Sequence, residues 1–119
     1  MICEGCKELI VTIVSKGWAD EVIRVSREAG AEGGTVLYGR GTGIHEQQTL
    51  LGIPIEPEKE IVFTIVDPEV SDTILEAISA GVSLDEPGRG IAFVIPLQRV
   101  AGRVHKTCTL DQADPGGET

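Results

Sequence analysis

Two glycine-rich segments carry the residue types best suited to holding an anion: residues 33–43 (GGTVLYGRGTG) and 87–97 (PGRGIAFVIPL). Glycine lets the backbone approach a ligand closely, and successive N–H groups in such a segment can form a nest for phosphate. Arg40, Arg89, Arg99 and Arg103 stand in or near these segments and could add a local basic pocket. A second set of reactive residues sits at the two chain ends. Cys3 and Cys6 form a C-x-x-C, and His105 and Cys108 form an H-x-x-C. Three thiolates and one imidazole make a tetrahedral zinc set. A redox-active C-x-x-C, or loose ends with unpaired thiols, are the other readings of the same residues. No serine, histidine and aspartate can be placed together, and no carboxylate pair falls at a cleft, so the chain is read as a binding protein and not an enzyme.

The elements that must position these residues follow from hydrophobic period. Residues 9–14 are apolar apart from Thr12 and read as a buried strand. Trp18, Val22, Val25 and Ala29 recur at helical spacing, so 20–29 reads as an amphipathic helix ended by Gly30. Residues 35–38, 60–66 and 91–97 read as three further strands, with Ile91, Phe93 and Ile95 as core positions. Ser71 is taken as the N-cap of a second helix that Gly81 ends. The stretch 42–58 lacks sustained periodicity and contains two prolines, so it reads as a long, mobile loop. The order βαββαβ predicts an α+β, ferredoxin-like sandwich with an antiparallel sheet of strand order 4-1-3-2 and both helices on one face. The strands are too uniformly apolar for the other face to meet water, which predicts an oligomer. Residues 1–110 form one domain, and 111–119 (DQADPGGET) read as an acidic, disordered tail.

Composition narrows the partners. The chain has 119 residues and a formal net charge of −9, which disfavours a general nucleic-acid binder because phosphate would be repelled. No apolar run approaches the roughly 20 residues a membrane helix needs. Without a signal sequence the expected location is the cytoplasm, with reduced thiols.

From residue 8 to residue 103 the chain resembles the P-II signal-transduction proteins. GGTVLYGRGTG is similar to the approach to that family's T-loop, and GRGIAFVIPLQRV to its B-loop and last strand. The resemblance implies a homotrimer that binds an adenine nucleotide (ATP, ADP or AMP) in each cleft between subunits. The implied ligand residues are Thr35, Gly41 and Gly43 at the T-loop base, Gly88, Arg89 and Gly90 in the B-loop, and Arg103 beyond the last strand. Arg89 stands where the family has an acidic residue, and Ile91 where it has a phosphate-binding lysine. The 42–58 segment lacks the family's modifiable tyrosine, so uridylylation is not expected. The implied function is control of a target, such as a membrane transporter or channel, through that loop. A metal- or redox-responsive protein on the same trimeric fold, using the cysteine–histidine set, is the alternative.

Overall fold

The computed structural model describes residues 2–42, 48–55 and 57–102. Eight elements follow in order: β1 (Ile2–Ser15), α1 (Ala19–Glu28), β2 (Thr35–Arg40), β3 (Gln48–Leu50), β4 (Ile53–Ile55), β5 (Glu58–Val66), α2 (Pro68–Gly81) and β6 (Gly90–Ala101). β2, β5, β1 and β6 form one antiparallel sheet in that spatial order, and β3 pairs with β4 in a separate hairpin. Leaving out the hairpin, this is the βαββαβ ferredoxin-like fold, with its strand order as expected from the sequence. The tail at 111–119 and the domain limit at 110 lie outside the described residues.

The sheet's alternation decides what is buried. Ile10 and Val14 of β1 and Val62 and Val66 of β5 face the helices and join Val22, Val25, Ile74, Ile78 and Val82 in the core. The other face carries Leu37, Phe63, Ile65, Ile91, Phe93 and Ile95, all between 37 and 57% exposed. Ile91, Phe93 and Ile95 are therefore not core residues of the single chain. They belong to the open face whose coverage by another chain the sequence predicted.

The two helices are started by different devices, one distant in sequence and one local. Trp18 precedes α1 and has no capping side chain of its own. The buried carboxylate of Glu60 on β5 instead accepts a 2.8 Å hydrogen bond from the Ala19 N–H, placing a carboxylate at a helix N-terminus. α2 begins at Pro68, with Asp67 as its extended N-cap residue. Ser71 is thus inside the first turn, not at its start, and its hydroxyl donates back to the Pro68 carbonyl at 3.4 Å. The proline at the first helical position was the stronger signal. α2 does run to Gly81, but that glycine also serves packing. A Cβ there would lie 2.7 Å from Val25 Cγ1 on α1. The positive φ that ends the turn falls at Ser83.

The segment 42–58 is not loop throughout. β3 and β4 pair Gln48 with Ile55, Thr49 with Pro54 and Leu50 with Ile53. The two-residue turn, Leu51–Gly52, has positive φ at both positions, the twist that suits a two-residue hairpin. Leu is a poor residue for that conformation, which is why no turn signal showed in the sequence. Leu51 and Ile53 are 93 and 65% exposed, so the tip presents apolar side chains.

Candidate functional site

Sheet register gathers one end of the molecule into a single edge. β2 leaves the sheet at Arg40, β5 enters it at Glu58, β1 leaves at Ser15 and β6 enters at Gly90. The pairs Arg40–Glu58, Ser15–Lys59 and Val14–Gly90 set these four points side by side. The two glycine segments therefore meet the same edge. They are not adjacent within one chain, because β5 and β1 lie between them. Three strand spacings of about 4.8 Å put β2 and β6 roughly 14 Å apart.

The neck of the 42–58 segment is closed by the Gly41 N–H donating to the Pro57 carbonyl at 3.2 Å. Beside it lies a cleft of about 550 Å³ lined by Lys16, Tyr38, Gly39, Arg40, Glu58 and Lys59. Among the described residues its lining carries three cations and the Glu58 carboxylate, and Tyr38 is 75% exposed. Lys16 Nζ contacts Glu58 Oε1 at 3.0 Å. That hydrogen bond, with the attraction of the opposite charges, holds the Glu58 carboxyl below its ordinary value and the Lys16 ammonium above its own. The chemistry suits an anion carrying a flat ring. A second cleft of about 400 Å³, between α2 and the start of β6, carries Glu76 and Asp85 and, among the described residues, no cation. It is the poorer place for phosphate.

The other glycine segment is engaged with its own chain. The Arg89 guanidinium carbon sits 4.2 Å from the centroid of the Trp18 ring. Its Nε donates to the Val82 carbonyl at 3.3 Å, and its backbone N–H to the Glu86 carbonyl at 3.3 Å. Trp18 is thus more than core packing: it parks the only arginine of the B-loop-like segment. Gly88 has φ +80° and open space around it, whereas Gly90 is needed by the sheet itself. A Cβ on Gly90 would lie 2.3 Å from the Ile13 carbonyl oxygen.

Of the residues proposed from sequence, Gly41, Gly88, Arg89 and Gly90 share this edge. Thr35 does not. It starts β2, opposite Phe63 on the open sheet face, about 16 Å along the strand from Arg40. Gly43 and Arg103 lie outside the described residues. Sequence reading passed over Lys16, Tyr38 and Lys59. A basic residue just past β1 and another just inside β5 carry no motif, and only the strand register shows that they converge.

The zinc set is changed by a bond. Cys3 and Cys6 are joined to each other as a disulfide, so in this state neither offers a thiolate, and the expectation of reduced thiols does not hold for this pair. His105 and Cys108 lie outside the described residues. Among the described residues no group of three or more His, Cys, Asp or Glu side chains is placed to hold a metal. Likewise, no described helix is long and apolar enough to cross a membrane.

The family model of the nitrogen regulatory protein P-II matches residues 7–105. The chain belongs to the P-II family. The matched span takes in β1 from Lys7 onward, the other three strands of the main sheet, both helices, the hairpin and both glycine segments of this P-II protein. No curated protein sequence matches it.

Proposed function

We propose that this P-II protein is a homotrimeric signal regulator that binds an adenine nucleotide, ATP, ADP or AMP, between its subunits. The observation that carries this reading is the cleft at the neck of the hairpin segment, whose lining includes the exposed ring of Tyr38 with Lys16, Arg40 and Lys59. Phosphates pair with the cations, and the base stacks on the ring. Gly41 of one protomer, with Gly88, Arg89 and Gly90 of the next, completes the site from the edge, and Gly43 is included as Gly41's neighbour in sequence. Thr35 and Arg103 contribute from the open face and from beyond β6. Two features support an intersubunit site: the separation of the two glycine segments within one chain, and the apolar open face, which is too extensive to leave in water.

The hairpin at 48–55 is the output. Its tip, Leu51 and Ile53, docks on a target, and a membrane transporter or channel is the class that the family resemblance implies. Such a regulator works in the cytoplasm. Nucleotide shifts the hairpin between docked and free arrangements only through its different affinity for the two. Target and nucleotide therefore affect each other's binding by the same factor.

Calorimetry with ATP, ADP and AMP, run beside sedimentation analysis, tests this. The expected result is a trimer with one nucleotide site per subunit for at least one of the three. A monomer in solution, or no binding of any of them, would overturn it.

A further inference from the structure

The C-x-x-C lies inside a strand, where two cysteines of that spacing cannot normally meet. In a regular strand, residues i and i+3 point to opposite faces and their Cα atoms are about 10 Å apart, beyond the reach of a disulfide. In β1 the Cα atoms of Cys3 and Cys6 are 6.1 Å apart. The cause is a β-bulge. Glu4 pairs with Arg99, but the next pair is Lys7 with Leu97, so Gly5 and Cys6 of β1 stand opposite Gln98 alone. Gly5 supplies the left-handed backbone for it, with φ +66°. The extra residue turns Cys3 to the face that Val100 shares with Val94 and Ala92, the helix side, where it is fully buried. Cys6 stays partly exposed.

We propose that Cys3–Cys6 is a thiol–disulfide exchange site whose redox state sets how firmly the two ends of the folded domain are tied together. Its reaction partner is a dithiol. A thiolate of the dithiol attacks Sγ of the partly exposed Cys6, and the Cys3 sulfur leaves as a thiolate and takes a proton. The second thiol of the partner then resolves the mixed disulfide and releases Cys6 as a thiol. The partner ends as a disulfide, having given two electrons and two protons to the protein.

The consequence follows from register. With the bond closed, the bulge is fixed and Ile2, Cys3 and Glu4 pair with Ala101, Val100 and Arg99. With it open, the chain before Gly5 can also pair without the bulge, shifted by one residue. That shift would turn Glu4 to the helix side and Cys3 to the open face, so it gains no stable ladder. Neither register is then held, and the terminal ladder opens more often. β6 is the strand that carries the chain toward Arg103, so the device acts on the C-terminal side of the domain, far from the hairpin neck.

Hydrogen exchange of the full chain, oxidised and after graded dithiothreitol, tests the proposal, with peptide mapping of the thiols. Reduction should speed amide exchange about tenfold at residues 2–4 and 99–101 and leave 9–14 unchanged. The Cys3→Ser, Cys6→Ser double variant should exchange like the reduced protein and ignore dithiothreitol. Gly5→Val, which disfavours the bulge, should lose the bond with both cysteines still present. Equal exchange in the two redox states would overturn the proposal, as would a bond from Cys108 to either cysteine, or ready closure of the bond in Gly5→Val. None of these readouts involves nucleotide, so the proposal stands or falls apart from the ligand reading above.

Discussion

The two ends of the sheet use glycine and charge in opposite ways. At the hairpin end, glycines keep side chains off an edge where cations collect: Lys16, Arg40, Lys59 and Arg89 lie there, and the ion pair between Lys16 and Glu58 is open to water. At the other end Gly5 makes a bulge that closes a disulfide, and the ion pair is buried: Lys7 is 5% exposed where it meets Asp67, the residue that leads into α2. Exposed pairs contribute little to stability, while a buried charge left without its partner is costly. One end is thus arranged for a ligand to rearrange, and the other to hold the chain in place.

The largest effect should come from a residue that crosses this division. Gly90 sits at the hairpin end but is demanded by the fold, because a Cβ there meets the Ile13 carbonyl oxygen. Gly90→Val should unfold the domain or cost more than about 4 kcal/mol in denaturant melts. Gly88→Ala, in open space at φ +80°, should cost only about 1 kcal/mol of backbone strain. Equal losses would show that both glycines are structural and would remove the second glycine segment from the ligand reading.

Next in size is the buried pair at the far end. Lys7→Met leaves the Asp67 carboxylate, 22% exposed, without its ammonium partner. The expected loss is about 2 kcal/mol, below the full cost of breaking a buried pair because Asp67 still reaches water. Nucleotide affinity should not change. A large fall in affinity without loss of stability would mean that the two ends are coupled.

How far the sequence disclosed this division depended on range. The four main strands, both helices and the glycine segments were legible, because apolar period and glycine spacing are local signals. Glu60 capping α1, Asp67 meeting Lys7 and Lys16 meeting Glu58 were not, since each joins residues more than 40 positions apart. The C-x-x-C was visible but not its closure, which depends on the bulge at Gly5 and hence on the register against β6. Arg89 was read as a phosphate contact and rests on Trp18 across the β1–β6 boundary. If that stacking holds the arginine in reserve, Arg89→Ala should weaken nucleotide binding about tenfold with less than about 1 kcal/mol lost in stability. A stability loss without any change in affinity would make the Trp18 contact purely structural.

The smallest effect is the most diagnostic of the ligand end. Glu58 is the one carboxylate among the described residues that line the cleft, and Lys16 is its partner at 3.0 Å. The hydrogen bond to Lys16 lowers the Glu58 carboxyl from its reference value of 4.5, and the same bond raises the Lys16 ammonium from 10.5. A lowered carboxyl stays ionised until pH falls below its ordinary range, and a raised ammonium stays charged above its own. The pair is therefore intact across neutral pH and opens only in acid, when Glu58 takes up a proton. At that point the cleft loses its negative charge and Lys16 is released, so affinity for an anion should rise as pH falls through the lowered Glu58 range. Glu58→Gln should produce the same gain at neutral pH, about threefold for a nucleotide at low ionic strength, and should abolish the further rise in acid. Folding stability should hardly move, because both side chains are solvated. Nucleotide titrations of both proteins at pH 7 and at a pH below the ordinary carboxylate range measure this. Unchanged affinity in Glu58→Gln would place the phosphates elsewhere on the edge and leave Lys16 and Glu58 as an ordinary surface pair.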